Sequence, residues 1–214
     1  MTIPVALCLS ALAAYLLGCV NGAIAASRLF FGEDIRTKGS GNAGLTNFYR
    51  VYGVRGVLLL IAIDVLKTVA AVSLGRYILG RCAYPLHGAY WSGLWVILGH
   101  SYPCFYRFRG GKGILCAGVL LWFLGWKIAL VGFGAFFLGV LISGYISLGS
   151  IFAIVSFPIM TAAVYSGVPQ FGYIFAVSFL TAASTFWSHR SNVVRLLKGK
   201  ENKFHLHGKK EKNQ

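Results

Sequence analysis

The chain has 214 residues, 57% of them hydrophobic and only 12% charged, with a mean hydropathy of +0.70. This excludes an ordinary soluble domain, in which roughly a quarter of residues are charged. The formal net charge of +15 invites a nucleic-acid reading, but the aromatics lie mainly within apolar runs and no soluble binding domain is present, so no nucleic-acid partner is expected.

Apolar tracts at about 3–31, 55–80, 90–104, 113–125, 128–146, 150–165 and 170–187 predict an all-α membrane protein. The bundle would hold about seven short transmembrane helices, several of them under the ~20 residues of a full crossing. The first tract has no basic residue ahead of its apolar run and Arg28 follows it, so it reads as a retained helix rather than a secretory signal. Small residues within the tracts would let helix backbones approach closely. Of the 20 Lys and Arg, five lie at 28–55, three at 107–112 and eight after residue 188. The positive-inside bias then puts the N-terminus outside and the C-terminus in the cytoplasm, with every conspicuous polar motif on the cytoplasmic face. One membrane domain over 1–198 and a basic cytoplasmic tail over 199–214 is the economical division.

In chain order, the first polar motif is Gly39-Ser40-Gly41-Asn42-Ala43-Gly44-Leu45-Thr46-Asn47, with Arg50 after it. It spells G-x-G-x-x-G with Asp64 twenty residues on, but a dinucleotide fingerprint follows a buried strand and this one follows a charged segment. Read physically, its glycines leave backbone N–H groups accessible beside neutral hydrogen-bonding side chains and Arg50, which suits a phosphate; an ordinary polar turn would use the same residues. Asp64 and Lys67 stand three apart within the second tract and read as a structural ion pair. His100 reads as a helix–helix hydrogen bond. Arg107-Phe108-Arg109-Gly110-Gly111-Lys112-Gly113 directly precedes an apolar run, so glycines, a lysine and a helix start suit an anion site; a positive-inside anchor for lipid headgroups would explain Arg107 and Arg109 but has no need of the glycines. It is not a Walker A loop, because Gly follows the lysine. Ser188-His189-Arg190-Ser191-Asn192 continues to Arg195, and helical geometry would point Asn192 and Arg195 the same way, with His189 either shuttling a proton or holding the loop. The five cysteines are scattered without C-x-x-C spacing, so neither a disulfide framework nor a metal site is expected.

Taken together and in order, the glycine loop with Arg50, D-V-L-K at 64–67, L-G-H-S-Y-P running into F-R-G-G-K-G, I-S-L-G-S at 146–150 and H-R-S-N-V-V-R-L-L-K-G-K-E-N-K are specific. The chain resembles the acyl-phosphate-dependent glycerol-3-phosphate acyltransferases, bacterial membrane enzymes that make lysophosphatidic acid. The resemblance implies a seven-helix, multi-pass protein of the bacterial inner membrane with its active site facing the cytoplasm. Its substrates would be acyl phosphate and glycerol 3-phosphate, and no cofactor is implied. By the same resemblance Ser40, Asn42, Thr46, Asn47 and Arg50 fall in the first family motif, Gly110 to Gly113 in the second, and His189, Asn192 and Glu201 in the third; Ser147 and Ser150 carry over as well. The chain departs from the usual pattern at Ile114-Leu115-Cys116, Thr68 and Gly144.

An acyl phosphate is already activated, so direct attack by the glycerol hydroxyl would need only positioning and charge stabilisation, supplied by Lys112, Arg50 and the glycine loops. Base work would fall to substrate phosphate or to His189, and a nucleophilic Ser40 is the sharper alternative. From another class, the rival is an anion or lipid transporter or binding protein without chemistry. A monomer is compatible with the sequence, which leaves the oligomeric state open.

Overall fold

The structure, a computed structural model, describes residues 1–203. The tail expected over 199–214 therefore lies outside the described residues from 204 onward. Among the described residues the chain is entirely helical between its turns: α1 (Ile3–Cys19), α2 (Gly22–Phe31), α3 (Leu45–Tyr52), α4 (Val57–Gly80), α5 (Pro85–Ser101), α6 (Ile114–Leu124), α7 (Trp126–Ser143), α8 (Ile146–Tyr165), α9 (Phe171–Ser188) and α10 (Arg190–Leu197). Five segments among the described residues are long and apolar enough to cross a bilayer, namely Ile3–Phe31, Val57–Gly80, Trp126–Ser143, Ile146–Tyr165 and Phe171–Ser188. The 11 residues of α6 reach only about 16 Å against the ~30 Å of a hydrocarbon core.

Large apolar side chains stand on the outer surface, with Leu12, Leu58, Leu66, Phe137 and Leu141 each more than half exposed. In water such a surface would drive aggregation; in lipid it is the solvated face, and the chain is a multi-pass membrane protein. Since lipid gives apolar faces no reason to seek each other, association rests on close backbone packing. A Cβ on Gly18 would lie 3.0 Å from the Gly99 Cα where α1 meets α5, and one on Gly139 would lie 2.8 Å from the Gly149 Cα where α7 meets α8. At one end of the bundle Arg76 of α4 donates to the Phe123 carbonyl at 3.3 Å, and the Tyr165 hydroxyl donates to the Leu124 carbonyl. The opposite end carries α3, the starts of α6 and α8, and the end of α9. The predicted polar motifs come together there.

One expectation is corrected. The first tract is not a continuous helix, because the chain is extended at Val20 and Asn21, between α1 and α2. The break frees backbone groups in apolar surroundings, where an unsatisfied carbonyl costs several kcal/mol. Lys67 resolves this: its Nζ donates to the carbonyls of Gly18 (3.2 Å) and Val20 (2.6 Å) and to His100 Nδ1 (2.9 Å), while lying 2.7 Å from Asp64 Oδ1. Asp64 Oδ1 also accepts from the Gly22 N–H at 3.2 Å. Asn21 caps α2 by accepting from the Ile24 N–H (3.0 Å) and donates through Nδ2 to the Ala43 carbonyl (3.1 Å). The ion pair and the His100 hydrogen bond expected from the sequence both form, around a helix break that hydropathy does not reveal.

Removing one member of a buried, hydrogen-bonded charge set leaves the rest uncompensated. Lys67→Met should therefore lower stability by about 3–5 kcal/mol. A thermal melt of purified protein in detergent that matches wild type would refute this role.

Candidate functional site

The first loop is organised by Asn47. Its Oδ1 accepts from the Ser40 N–H (2.8 Å), and its Nδ2 donates to the carbonyls of Lys38 (3.1 Å) and Asn42 (3.0 Å). The Gly41 N–H donates to the Lys38 carbonyl, the Gly44 N–H to Asn42 and the Ala43 N–H to Gly110. These N–H groups are thus engaged within the protein, contrary to the reading that the glycines hold them open for an anion. Gly39 and Gly41 do not reach the cavity described below; Ser40, Asn42, Gly44, Thr46, Asn47 and Arg50 line it.

The second loop follows the same logic. The N–H groups of Gly110 and Gly111 donate to the carbonyls of Ser101 and His100, both at 3.1 Å. A side chain at Gly110 would sit 2.7 Å from Pro103 Cδ and 3.0 Å from the Ser101 carbonyl oxygen, and one at Gly111 would collide with the His100 ring and the Ala43 carbonyl. These glycines are required by close approach, and neither lines the cavity. Gly113 differs, for its φ of +79° is left-handed backbone that a side chain resists. There the chain turns into α6, leaving Lys112 in the cavity wall next to the first turn of α6, whose N–H groups have no intrahelical partner and carry the positive end of the helix dipole.

The third cluster is reached by the turn from α9 into α10. His189 Nδ1 lies 2.8 Å from the Thr185 carbonyl and donates to it, which leaves Nε2 as an acceptor. Asn192 Nδ2 donates to Glu201 Oε1 (3.1 Å) and Arg195 Nε to Glu201 Oε2 (2.8 Å), so Asn192 and Arg195 do point together, onto a carboxylate of the chain itself. Ser147 and Ser150 fall in the first turns of α8; Ser150 Oγ donates to the Ile146 carbonyl at 2.9 Å, whereas Ser147 Oγ is buried without a partner among the described residues.

These parts enclose one cavity of about 1430 Å³. Its polar end holds Ser40, Arg50, Lys112, Ser147, His189, Asn192 and Glu201, and its apolar extension runs between α6, α7, α8 and α9 past Leu120, Phe133, Phe136, Ile154 and Phe157. Asp64 and His100 also reach the wall, while Lys67 does not. The electrostatics are lopsided. Arg50 and Lys112 have no hydrogen-bond or ion-pair partner among the described residues, and burial, reinforced by the Arg195 charge, pushes the Lys112 ammonium down to about 8. Burial, with the Lys112 charge, also pushes His189 down to about 4, so its imidazole is neutral. Ser147 Oγ and Asn192 Oδ1 are buried polar atoms left without partners among the described residues, which is the mark of a site that a ligand completes.

Ligand atoms of Asp64, His100 and Cys116 lie within 4.8 Å of one another, a set that can in principle hold a metal. The Lys67 ammonium already lies 2.7 Å from Asp64 and 2.9 Å from His100. A second cation there would meet that charge at close range, so the set does not fit a metal. The sequence pointed to Glu201 but to neither the apolar extension, whose residues are ordinary within apolar tracts, nor the reach of Asn202 and Lys203 into the cavity wall.

Residues 8–199 match the model of the glycerol-3-phosphate acyltransferase family. The glycerol-3-phosphate acyltransferase of Thermoanaerobacter sp. (strain X514) is 37% identical over 91% of this chain and 94% of its own, and glycerol-3-phosphate acyltransferase 2 of Bacillus anthracis is 36% identical over 91% and 97%. The crystal structure of PlsY (YgiH), an integral membrane glycerol 3-phosphate acyltransferase, in its glycerol 3-phosphate form superposes with a TM-score of 0.80 at 29% identity, covering 93% of this chain and 96% of that one. Its lysophosphatidic acid form gives 0.77 at 28% identity, covering 93% and 95%. On sequence and fold together, this chain belongs to the glycerol-3-phosphate acyltransferase family.

Proposed function

We propose that this chain transfers a fatty acyl group from acyl phosphate to the 1-hydroxyl of glycerol 3-phosphate, giving lysophosphatidic acid and inorganic phosphate for phospholipid synthesis. The observation that carries the reading is a cavity whose polar end holds cations without a partner among the described residues and whose apolar extension completes it, which fits a substrate with a phosphate head and a fatty chain. In this reading Arg50, Lys112 and the α6 N-terminus offset the repulsion between two phosphates, and the apolar extension takes the acyl chain. Ser40, Asn42, Thr46, Ser147 and Ser150 supply neutral hydrogen bonds. The other glycines and Asn47 shape the loops, while Asp64, Lys67, His100 and Glu201 support them.

The hydroxyl oxygen attacks the acyl carbon, the bond from that carbon to the phosphate oxygen breaks, and phosphate leaves with the electron pair. With its imidazole near 4, His189 is a weak base, and a substrate phosphate, whose second ionisation lies near ~6, is the better proton acceptor. His189 Nε2 then serves to orient the hydroxyl. Ser40 Oγ has no histidine, lysine or carboxylate hydrogen-bonded to it among the described residues, so nothing activates it as a nucleophile.

The positions of the basic residues support seven crossings, counting α1 and α2 as one and α6 as a short one. They also support an outside N-terminus, residues from 199 onward as a cytoplasmic tail and a site open to the cytoplasm, in the inner membrane of a bacterium. Such a site needs only one copy of the chain.

Purified detergent-solubilised protein given glycerol 3-phosphate with palmitoyl phosphate should form lysophosphatidic acid, and with palmitoyl-coenzyme A should not. Lys112→Ala should reduce the rate by about 10²-fold or more. Product from neither donor in folded protein would overturn the reading in favour of anion or lipid binding. The depressed Lys112 ammonium loses its proton as pH rises through about 8. Substrate phosphate would lose a counter-charge there, so KM should climb above that pH, and in Lys112→Arg the climb should move upward because a guanidinium stays charged.

A further inference from the structure

The five cysteines, scattered in the sequence, are all free thiols, yet two of them meet. Cys19 closes α1 and Cys104 opens the short turn Cys104–Tyr106 after α5, 85 residues further on. Their Sγ atoms lie 3.6 Å apart, in van der Waals contact. The Tyr15 hydroxyl stands beside both sulfurs and donates to the Tyr102 carbonyl at 2.8 Å. Cys19 is fully buried, whereas Cys104 is partly exposed, next to the exposed ring of Phe105. A small uncharged oxidant therefore reaches Cys104 first, and a second thiol already rests against it.

From 3.6 Å the sulfurs must close by about 1.5 Å to reach the ~2.05 Å of a disulfide. The two sides do not share that movement equally. Cys19 is held by the close α1–α5 contact, where a Cβ on Gly99 would lie 3.0 Å from the Gly18 Cα and 3.1 Å from the Cys19 nitrogen. Lys67 also grips the carbonyls on either side of it, those of Gly18 and Val20. The Cys104 turn is softer. Directly after it Arg107 and Phe108 take φ of +56° and +57°, left-handed backbone that side chains resist and that persists only while the surroundings hold it. Pro103, just before Cys104, is packed where a Cβ on Gly110 would come within 2.7 Å of its Cδ. The same segment leads on to Gly110 and Gly111, whose N–H groups fasten the second loop to Ser101 and His100, and then to Lys112 in the cavity wall. A pull on Cys104 is thus a pull on the loop that presents Lys112.

We propose that Cys19 and Cys104 are a reversible oxidation site, closed by a peroxide, whose disulfide displaces the Lys112 loop and slows acyl transfer; the loss of activity rests on the acyltransferase reading above. The Cys104 thiolate attacks one oxygen of hydrogen peroxide, the O–O bond breaks, and the displaced hydroxide takes the thiol proton and leaves as water, giving a sulfenic acid. The Cys19 sulfur then attacks the Cys104 sulfur, the S–S bond forms, and the sulfenic hydroxyl leaves with the Cys19 proton as a second water. The two thiols lose two electrons and the peroxide gains them. In a reducing compartment the pair rests as the dithiol, and a thiol reductant reopens it.

The test uses the purified full-length chain in detergent. Hydrogen peroxide should link the peptide carrying Cys19 to the one carrying Cys104, read by mass spectrometry before and after reduction. Lysophosphatidic acid formation should fall about tenfold or more, within the ~10²-fold that a displacement of about 1 Å can cost, and dithiothreitol should restore it. A readout that needs no chemistry is amide hydrogen exchange at Gly110 and Gly111, which should quicken in the oxidised protein. Cys104→Ala and Cys19→Ala should match wild type when reduced and keep their activity under peroxide. Cys8→Ala, which removes an exposed thiol elsewhere on α1, should stay as sensitive as wild type. Absence of the linked peptide, linkage that leaves the rate of an active protein or its loop exchange unchanged, or equal loss of activity in Cys104→Ala would overturn the proposal. Linkage with faster exchange in a protein that forms no lysophosphatidic acid even when reduced would uphold the oxidation site and sink the acyltransferase reading.

Discussion

The ammonium of Lys67 is the interaction on which the rest of the molecule depends. A chain that breaks a helix inside a membrane must satisfy the freed carbonyls from within, since lipid offers no donor. Here one buried side chain meets the carbonyls of Gly18 and Val20, the Asp64 carboxylate and the His100 ring together. The break it stabilises lets Asn21 begin a new helix and hold the Ala43 carbonyl. The histidine it fixes offers its own carbonyl to Gly111, next to Lys112. An ion pair at membrane depth is thereby connected through hydrogen bonds to both polar loops, and of its two members only Asp64 reaches the cavity wall.

The polar chamber shows the opposite economy. Where Lys67 is saturated with partners, Arg50 and Lys112 face the cavity with none among the described residues, and Ser147 and Asn192 leave buried polar atoms open. Charges left uncompensated at a partly dry interface carry a free-energy penalty until an anion arrives, which is how a site can bind phosphate strongly while remaining selective. Neutral His189 fits the same arrangement. A protonated imidazole beside Lys112 would add repulsion without a compensating partner, and burial keeps the proton off.

The glycines hold a more general lesson. Glycine, lysine and a helix start resemble the backbone cradles that bind nucleotide phosphates, but Gly110 and Gly111 are small because the His100 and Ser101 segment presses against them. Their N–H groups fasten one loop to the end of α5, and the charge is delivered by side chains and by the first turn of α6. Fixing loops by backbone hydrogen bonds suits a membrane interface, where neighbouring helices offer few polar side chains to hold them.

Hydropathy and charge placement were enough to determine an all-α, multi-pass membrane protein whose polar motifs share one end, because the bilayer imposes length and apolarity on each helix separately. Local spacing also determined the Asp64–Lys67 pair and the common direction of Asn192 and Arg195, since both are contacts within one helix or its continuation. The break at Val20 and Asn21, the use of the glycines for close packing, and the passage of Lys203 over Gly144 were decided only by tertiary structure. Each depends on atoms from segments far apart in the chain, and a run of residues read by itself holds no record of which neighbour will press against it.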